Sequence, residues 1–300
     1  MIKNGAGKNF SSYKSLRVTA YTFLIPSIIY YSLIWVYAFI RNVNISFTEY
    51  NLVNTPKFIL FNNYIDLFAD KYFWNALKNT SIFTVLVVPV SLVVSFAVAL
   101  LINEITMGRV FYRTAIFITT SFSIVASAIV FRIMFNKEFG IINMYLFKTF
   151  DIAPIDWLTS SKYALFTTSI VAIWKNIGWY MMIYFAALQN TDSTLSEAAK
   201  VDGANEFQII RLILVPQLKP VILLTSTVAI IGHLQIFALP LVMTRGGPSR
   251  STETIVYYIY KAAFKSFEVG YATAMSMVLF SIVIVVTLIQ LKVVGLNHEN

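Results

Sequence analysis

Residues 197–216 read EAAKVDGANEFQIIRLILVP, a polar island between two long apolar segments. Ala198, Ala199, Ala204, Phe207, Ile210, Leu212 and Ile213 are apolar, with Leu195 just ahead, whereas Glu197, Lys200, Asp202, Glu206 and Arg211 are charged. The pattern predicts a short helix, a turn and a second amphipathic helix. Ser193 or Ser196 is the expected cap of the first piece, because a hydroxyl can accept from an unpaired N–H of the first turn. Gly203 can take the left-handed conformation that closes that piece. Pro216 is expected to stop the second piece and, with Pro220, to set where the next apolar helix begins.

Working outward, the composition fits a membrane. Of 300 residues, 58% are hydrophobic and 12% charged. A soluble chain of this length carries about twice that charge. The apolar residues fall in blocks of about twenty, the length that crosses a bilayer as a helix. Six blocks stand out, at about 18–40, 80–102, 114–135, 164–188, 220–242 and 271–292. The formal charge of +9 belongs to topology, since no dense basic stripe interleaved with aromatics suggests nucleic acid. There are no cysteines, which excludes disulfides and thiolate metal sites. Residues 1–17 carry Lys3, Lys8, Lys14 and Arg17 and no acid, a basic tail expected on the cytoplasmic side. An even number of spans then puts both termini and the 197–216 island inside. Residues 293–300 form a short polar tail. The expected fold is thus an all-α, polytopic helix bundle with one membrane domain over 18–292.

The island also carries a family resemblance. Glu197-Ala198-Ala199, then three residues, Gly203, nine residues and Ile213-Leu214-Val215-Pro216 resemble the EAA loop of binding-protein-dependent ABC permeases, with Val215 where the family has Leu. Asp202 and Ala204 fit the usual D-G-A around the glycine. Nearly the whole chain follows the carbohydrate members: Asn63-Tyr64, Asp70, Phe73-Trp74, Ala76-Leu77 and Asn79-Thr80 before the second span; Gly140-Ile141-Ile142-Asn143 and Asp156-Trp157-Leu158 before the fourth; Trp174 and Gly178 within it; and Thr244-Arg245-Gly246-Gly247-Pro248 after the fifth. The family's F-L-P near the start of the third span is Phe117-Ile118-Thr119 here, so a kink there loses its proline.

The resemblance implies a cytoplasmic coupling helix within the loop 192–216, with Glu197, Ala198, Ala199, Asp202, Gly203 and Pro216 as the residues that dock into an ATPase subunit. It implies a second homologous permease, two ATPase subunits, an extracytoplasmic solute-binding protein and a carbohydrate solute. The chain itself would hold no cofactor, no metal and no catalytic residue; ATP and magnesium would be used by the partner subunits. Its place would be the bacterial inner membrane, as a multi-pass protein.

Polar groups inside spans are costly and so mark candidate sites. Lys175 and Asn176 lie near the middle of the fourth span beside Trp174, Trp179 and Tyr180, and His233 and Gln235 lie in the fifth. Aromatic faces with a few amides suit a sugar. Lys175 raises an anionic solute, such as a uronate or a sugar phosphate. Counted from Glu197, the sugar-contacting positions of the family's maltose permease fall on Asn176, Trp179, Gly232 and Ile236. Two rival functions are an ion-gradient-driven secondary carrier, which predicts carboxylates buried in spans, and a membrane sensor or scaffold without transport.

Overall fold

The computed structural model describes residue 19 and residues 21–295. The basic tail expected at 1–17 and the last residues of the C-terminal tail lie outside the described residues. Among the described residues the chain is a bundle of α-helices with one small sheet of two two-residue strands, Thr48–Glu49 and Lys57–Phe58, at its far end. Among the described residues, four single helices are long and apolar enough to cross a bilayer: α1 Tyr21–Ser46, α3 Lys71–Glu104, α7 Ala164–Leu188 and α12 Val269–Gly295. Two further spans are each a bent pair. Helices α4 Arg109–Ser121 and α5 Ile124–Met134 meet at 95°, and α9 Glu206–Gln217 and α10 Lys219–Leu234 meet at 74°. Counting each pair as one span makes six.

Among the described residues, four shorter α-helices and a π-helical turn at Pro240–Thr244 lie between the spans. At the far end, α2 Asn62–Ala69, α6 Ile141–Phe150 and α11 Ile255–Phe264 lie in the connections after the first, third and fifth spans. At the near end, α8 Ser193–Val201 follows the fourth span.

Helices α3 and α7 form the central pair. Small residues let their backbones approach, as is usual where lipid supplies no hydrophobic drive between helices. Ser91 and Ser95 of α3 are fully buried, and Ser95 Oγ donates to Ile177 O at 3.1 Å. Pro89 does not break α3, which runs on to Glu104. Arg109 seals that end, donating through Nε to Ile105 O and through Nη2 to Asn103 O. The apolar core around the pair includes Val88, Ala99, Tyr180, Met181, Tyr184, Leu218 and Ala229. Tyr184 Oη and Thr225 Oγ1, both buried, satisfy each other at 2.9 Å.

Many of the polar residues that carry the family resemblance at the far end are ties between loops. Asn63 Nδ2 donates to Ser46 O and Thr48 O, both at 2.9 Å. Asn143 accepts from the indole of Trp157 at 2.8 Å and donates to Ile155 O, so the Gly140–Asn143 and Asp156–Leu158 stretches meet. Asn79 Nδ2 donates to Arg250 O and Glu253 O, binding the second span to the loop after the fifth. Glu253 is only 1% exposed and is compensated by Lys261 Nζ at 2.7 Å and Arg250 at 3.4 Å. A buried carboxylate needs such partners. The Arg250 guanidinium in turn lies 3.5 Å over the Tyr72 ring.

Candidate functional site

Two places on the chain concentrate the candidate residues. The first is the near-end loop. Its opening cap is Asp192, not Ser193 or Ser196: Asp192 has extended backbone, and its Oδ1 accepts from Thr194 N at 2.9 Å and Thr194 Oγ1 at 2.7 Å. A carboxylate is the stronger acceptor and complements the positive end of the helix. These bonds to Thr194 hold the Asp192 carboxyl below the usual range. Ser193 falls inside the first turn instead, and Ser196 Oγ has no partner.

Helix α8 carries Glu197 and Ala198 on its exposed surface, with Ala199 half-buried. It ends in a Schellman motif: Gly203 N donates to Lys200 O and Ala204 N to Ala199 O, with Gly203 at φ +84°. Asn205 and Gln208 then form a reciprocal capping box that starts α9. Lys200 and Glu206 pair at 3.0 Å across the turn. Asp202 and Gly203 are exposed at the tip. So are large apolar side chains: Val201 is 88% exposed and Phe207 68%.

Pro216 does not stop the second piece. Helix α9 opens into a π-helical stretch, Ile210–Leu214, in which Val215 N donates to Ile210 O, and the helix passes through Pro216 to Gln217. The wider turn re-pairs the ladder just before the residue that lacks a donor. The chain bends at buried Leu218, and Pro220 sits in the first turn of α10, where its missing N–H costs nothing.

The second place is an open hollow of about 390 Å³ on one face of the bundle. Lys175, Asn176, Trp179 and Tyr180 line it from α7, and Gly232, His233 and Ile236 from the end of α10 and just beyond. Gln235 does not line it. Helix α10 ends at Leu234, well before 242, and the chain turns there, leaving Gln235 exposed. Trp174 lies apart, packed edge-on against Phe131.

Asn176 Nδ2 donates to Ala172 O at 2.7 Å and meets His233 Nε2 at 3.1 Å, while His233 Nδ1 lies 2.7 Å from Ala229 O. The carbonyl requires the proton on Nδ1, so Nε2 is the acceptor and the imidazole is neutral. Trp179 is half exposed, and a Cβ added at Gly232 would meet nothing within 4 Å. The hollow therefore combines an amide–imidazole pair, an indole and a phenol with open room at Gly232. These are groups that can stack on a ring and bond hydroxyls.

Lys175 is placed differently from its neighbours. Its Nζ donates to Thr119 O and Thr120 O, both at 2.8 Å, and to Phe122 O. An ammonium has three donors, and all are occupied, so none is left for an anionic solute in this arrangement.

The sequence reading missed the break between α4 and α5, which occurs at Phe122–Ser123 without a proline. The signal was the polar run Thr119-Thr120-Ser121 and Ser123 inside an apolar span. Gly178 was read only as a family position. A Cβ there would lie 2.6 Å from Ile116 O, so α7 and α4 meet backbone to backbone at this point.

The chain matches the family of binding-protein-dependent transport system inner membrane components over residues 6–294. It is 34% identical to a lactose transport system permease protein of Rhizobium radiobacter, covering 91% of this chain and 93% of that one. It is 32% identical to a sulfoquinovosyl glycerol transport system permease protein of Agrobacterium fabrum, over 93% and 91% of the two chains. A crystal structure of a bacterial ABC transporter involved in the import of the acidic polysaccharide alginate contains a chain of the same fold, with TM-score 0.83, 22% identity and coverage of 96% and 100%. With six apolar spans, an EAA-spaced loop at the near end and a family match along almost its entire length, this chain belongs to the binding-protein-dependent transport system inner membrane components.

Proposed function

We propose that the chain is one of two homologous permease subunits of an ATP-driven importer of sugars or oligosaccharides. One observation carries the reading: the near-end loop and the polar hollow are joined by the same helices. α7 runs from the hollow to the loop, and α9–α10 runs back from the loop to His233. The exposed apolar side chains of the loop, Val201 and Phe207 among them, support docking into a cleft of a separate ATPase subunit. In this reading the near end and both termini face the cytoplasm of a bacterial cell, and the far end receives a loaded solute-binding protein. ATP and magnesium are used by the ATPase pair, whose closure moves α8. The bundle then opens outward, takes the solute into the pathway that includes Asn176, Trp179, Tyr180 and His233, and returns inward after hydrolysis.

An ion-gradient carrier is less well supported. Among the described residues, the carboxylates of the spanning helices lie at their ends, as Glu104 and Glu206 do.

The test is ATP hydrolysis by the assembled complex in lipid, with its binding protein and a panel of neutral and acidic saccharides. Stimulation by one saccharide class is expected. A Gly203→Ala variant should lower that stimulation several-fold while the complex still assembles, because φ +84° strains an L-residue by about 1 kcal/mol with no clash within 4 Å. A correctly assembled complex that no saccharide stimulates would refute the sugar assignment.

A further inference from the structure

The third span is broken part-way along its length, at Phe122–Ser123, and a helix end inside a span is a problem. The last carbonyls of a helix have no intrahelical partner. In hydrocarbon, water cannot supply one. At the end of α4 the Thr119 and Thr120 hydroxyls donate back to Ile116 O and Phe117 O, at 2.9 and 2.7 Å. The carbonyls of Thr119, Thr120 and Phe122 instead converge on the single ammonium of Lys175, which comes from another span. The approach depends on Gly178, three residues further along α7, where no side chain separates the two helices. Beyond the break, Ile124, the first residue of α5, forms part of the wall of the hollow that Lys175 also lines.

We infer that Lys175 is a positioning residue that holds the third span in its bent form and so sets one wall of the hollow, rather than a reader of solute charge. The inference rests on the hollow being the solute pathway, as proposed above, but the bend itself can be measured without any solute. Without the ammonium, three carbonyls lose their donors, and resuming the α-helical ladder through Phe122 and Ser123 is the remaining way to pair them. Ile124 would then swing away from the hollow.

The chain has no cysteine, so two can be introduced for spin labels at exposed Val110 and Ile133, one on each arm of the break. At about 1.5 Å per residue, arms bent at 95° separate these positions by roughly 24 Å, and a straight helix by about 34 Å. The assembled complex in nanodiscs should show the short distance for the parent and for Lys175→Arg, which keeps a cationic donor. Lys175→Met should shift the population to the long one and lower saccharide-stimulated hydrolysis at least fivefold, equally for neutral and acidic saccharides. A short distance retained in Lys175→Met would overturn the inference, as would a loss confined to acidic saccharides. If Lys175→Met does not insert, Lys175→Gln is measured in the same way, and an unchanged distance overturns it equally. A parent complex that no saccharide stimulates would sink the sugar reading alone, because the distances would still decide the role of Lys175.

Discussion

The third and fifth spans are both bent, by 95° and 74°, but for opposite reasons. The fifth bends where its own residues dictate. Pro216 removes a donor, the Ile210–Leu214 stretch widens into a π-turn ahead of it, and Pro220 lies in the first turn of the next helix, which begins at Lys219. Everything needed lies within about ten residues of chain. The third has no proline at its break, and its loose carbonyls are gathered by a lysine more than fifty residues away. A bend made by a missing N–H goes with the local sequence. A bend made by a cross-span donor exists only when the two helices are already packed.

Three measurements would break or sharpen this contrast. The largest effect is expected at Gly178. Gly178→Ala places a Cβ 2.6 Å from Ile116 O and 3.0 Å from Thr120 Cγ2, so α4 must move. Overpacking of this kind costs about 1–3 kcal/mol, and thermal unfolding of the complex should fall accordingly. The matched control, Gly232→Ala, has open space and should be close to neutral. Equal losses at the two glycines would end the claim that close α4–α7 packing maintains the third bend.

A smaller effect is expected at the fifth bend. Pro220→Ala restores a donor in the first helical turn, where it is not needed, so stability should change by less than about 1 kcal/mol. The same spin-label strategy across Leu218 should report an unchanged angle, because Pro216 and the π-turn remain. Straightening in Pro220→Ala would show that the fifth bend is less robust than its local causes suggest.

The smallest effect concerns Asp70, which combines both kinds of partner. Locally it caps α3, accepting from Tyr72 N at 2.7 Å; at long range it accepts from Tyr258 Oη at 2.6 Å and Tyr271 Oη at 2.8 Å. Burial pushes its carboxyl up, but the two phenols and the amides of Tyr72 and Phe73 outweigh it and hold the group below the ordinary 3.8. A depressed carboxyl stabilises the fold fully above its unfolded value, and that contribution is lost as pH falls through the folded value. In Tyr258→Phe and Tyr271→Phe the folded value rises towards the unfolded one, so the acid loss should be smaller and complete at a higher pH than in the parent, while the local cap persists. Superimposable pH profiles below 4 would show that the cap alone sets the shift.

The same division between local and long-range causes explains what could be read from the chain. The helix–glycine–helix form of the near-end loop follows from Gly203 and the spacing of Ala198, Ala199 and Phe207, all neighbours in sequence. Its first cap was misjudged by one residue, because Ser193 and Asp192 are both good caps and only the backbone at Asp192 is extended. Gln235 was grouped with His233 on the assumption of a continuous helix to 242, whereas α10 ends between them. The buried charge of Glu253 gave no sign at all. Its ion-pair partners, Arg250 and Lys261, are near in sequence, but its burial and the Tyr72 ring over Arg250 come only with the packed bundle.

By itself the sequence determined the class of the molecule, its six apolar spans and the polar loop after the fourth, because span length, turn residues and capping chemistry act over a few consecutive residues. Only the tertiary structure decided where the third span breaks, which polar side chains meet in one hollow, and that Lys175 is occupied by carbonyls rather than left free. Those outcomes depend on which backbone groups lack a partner once the helices pack, and a group's partner inside a membrane must come from another part of the chain.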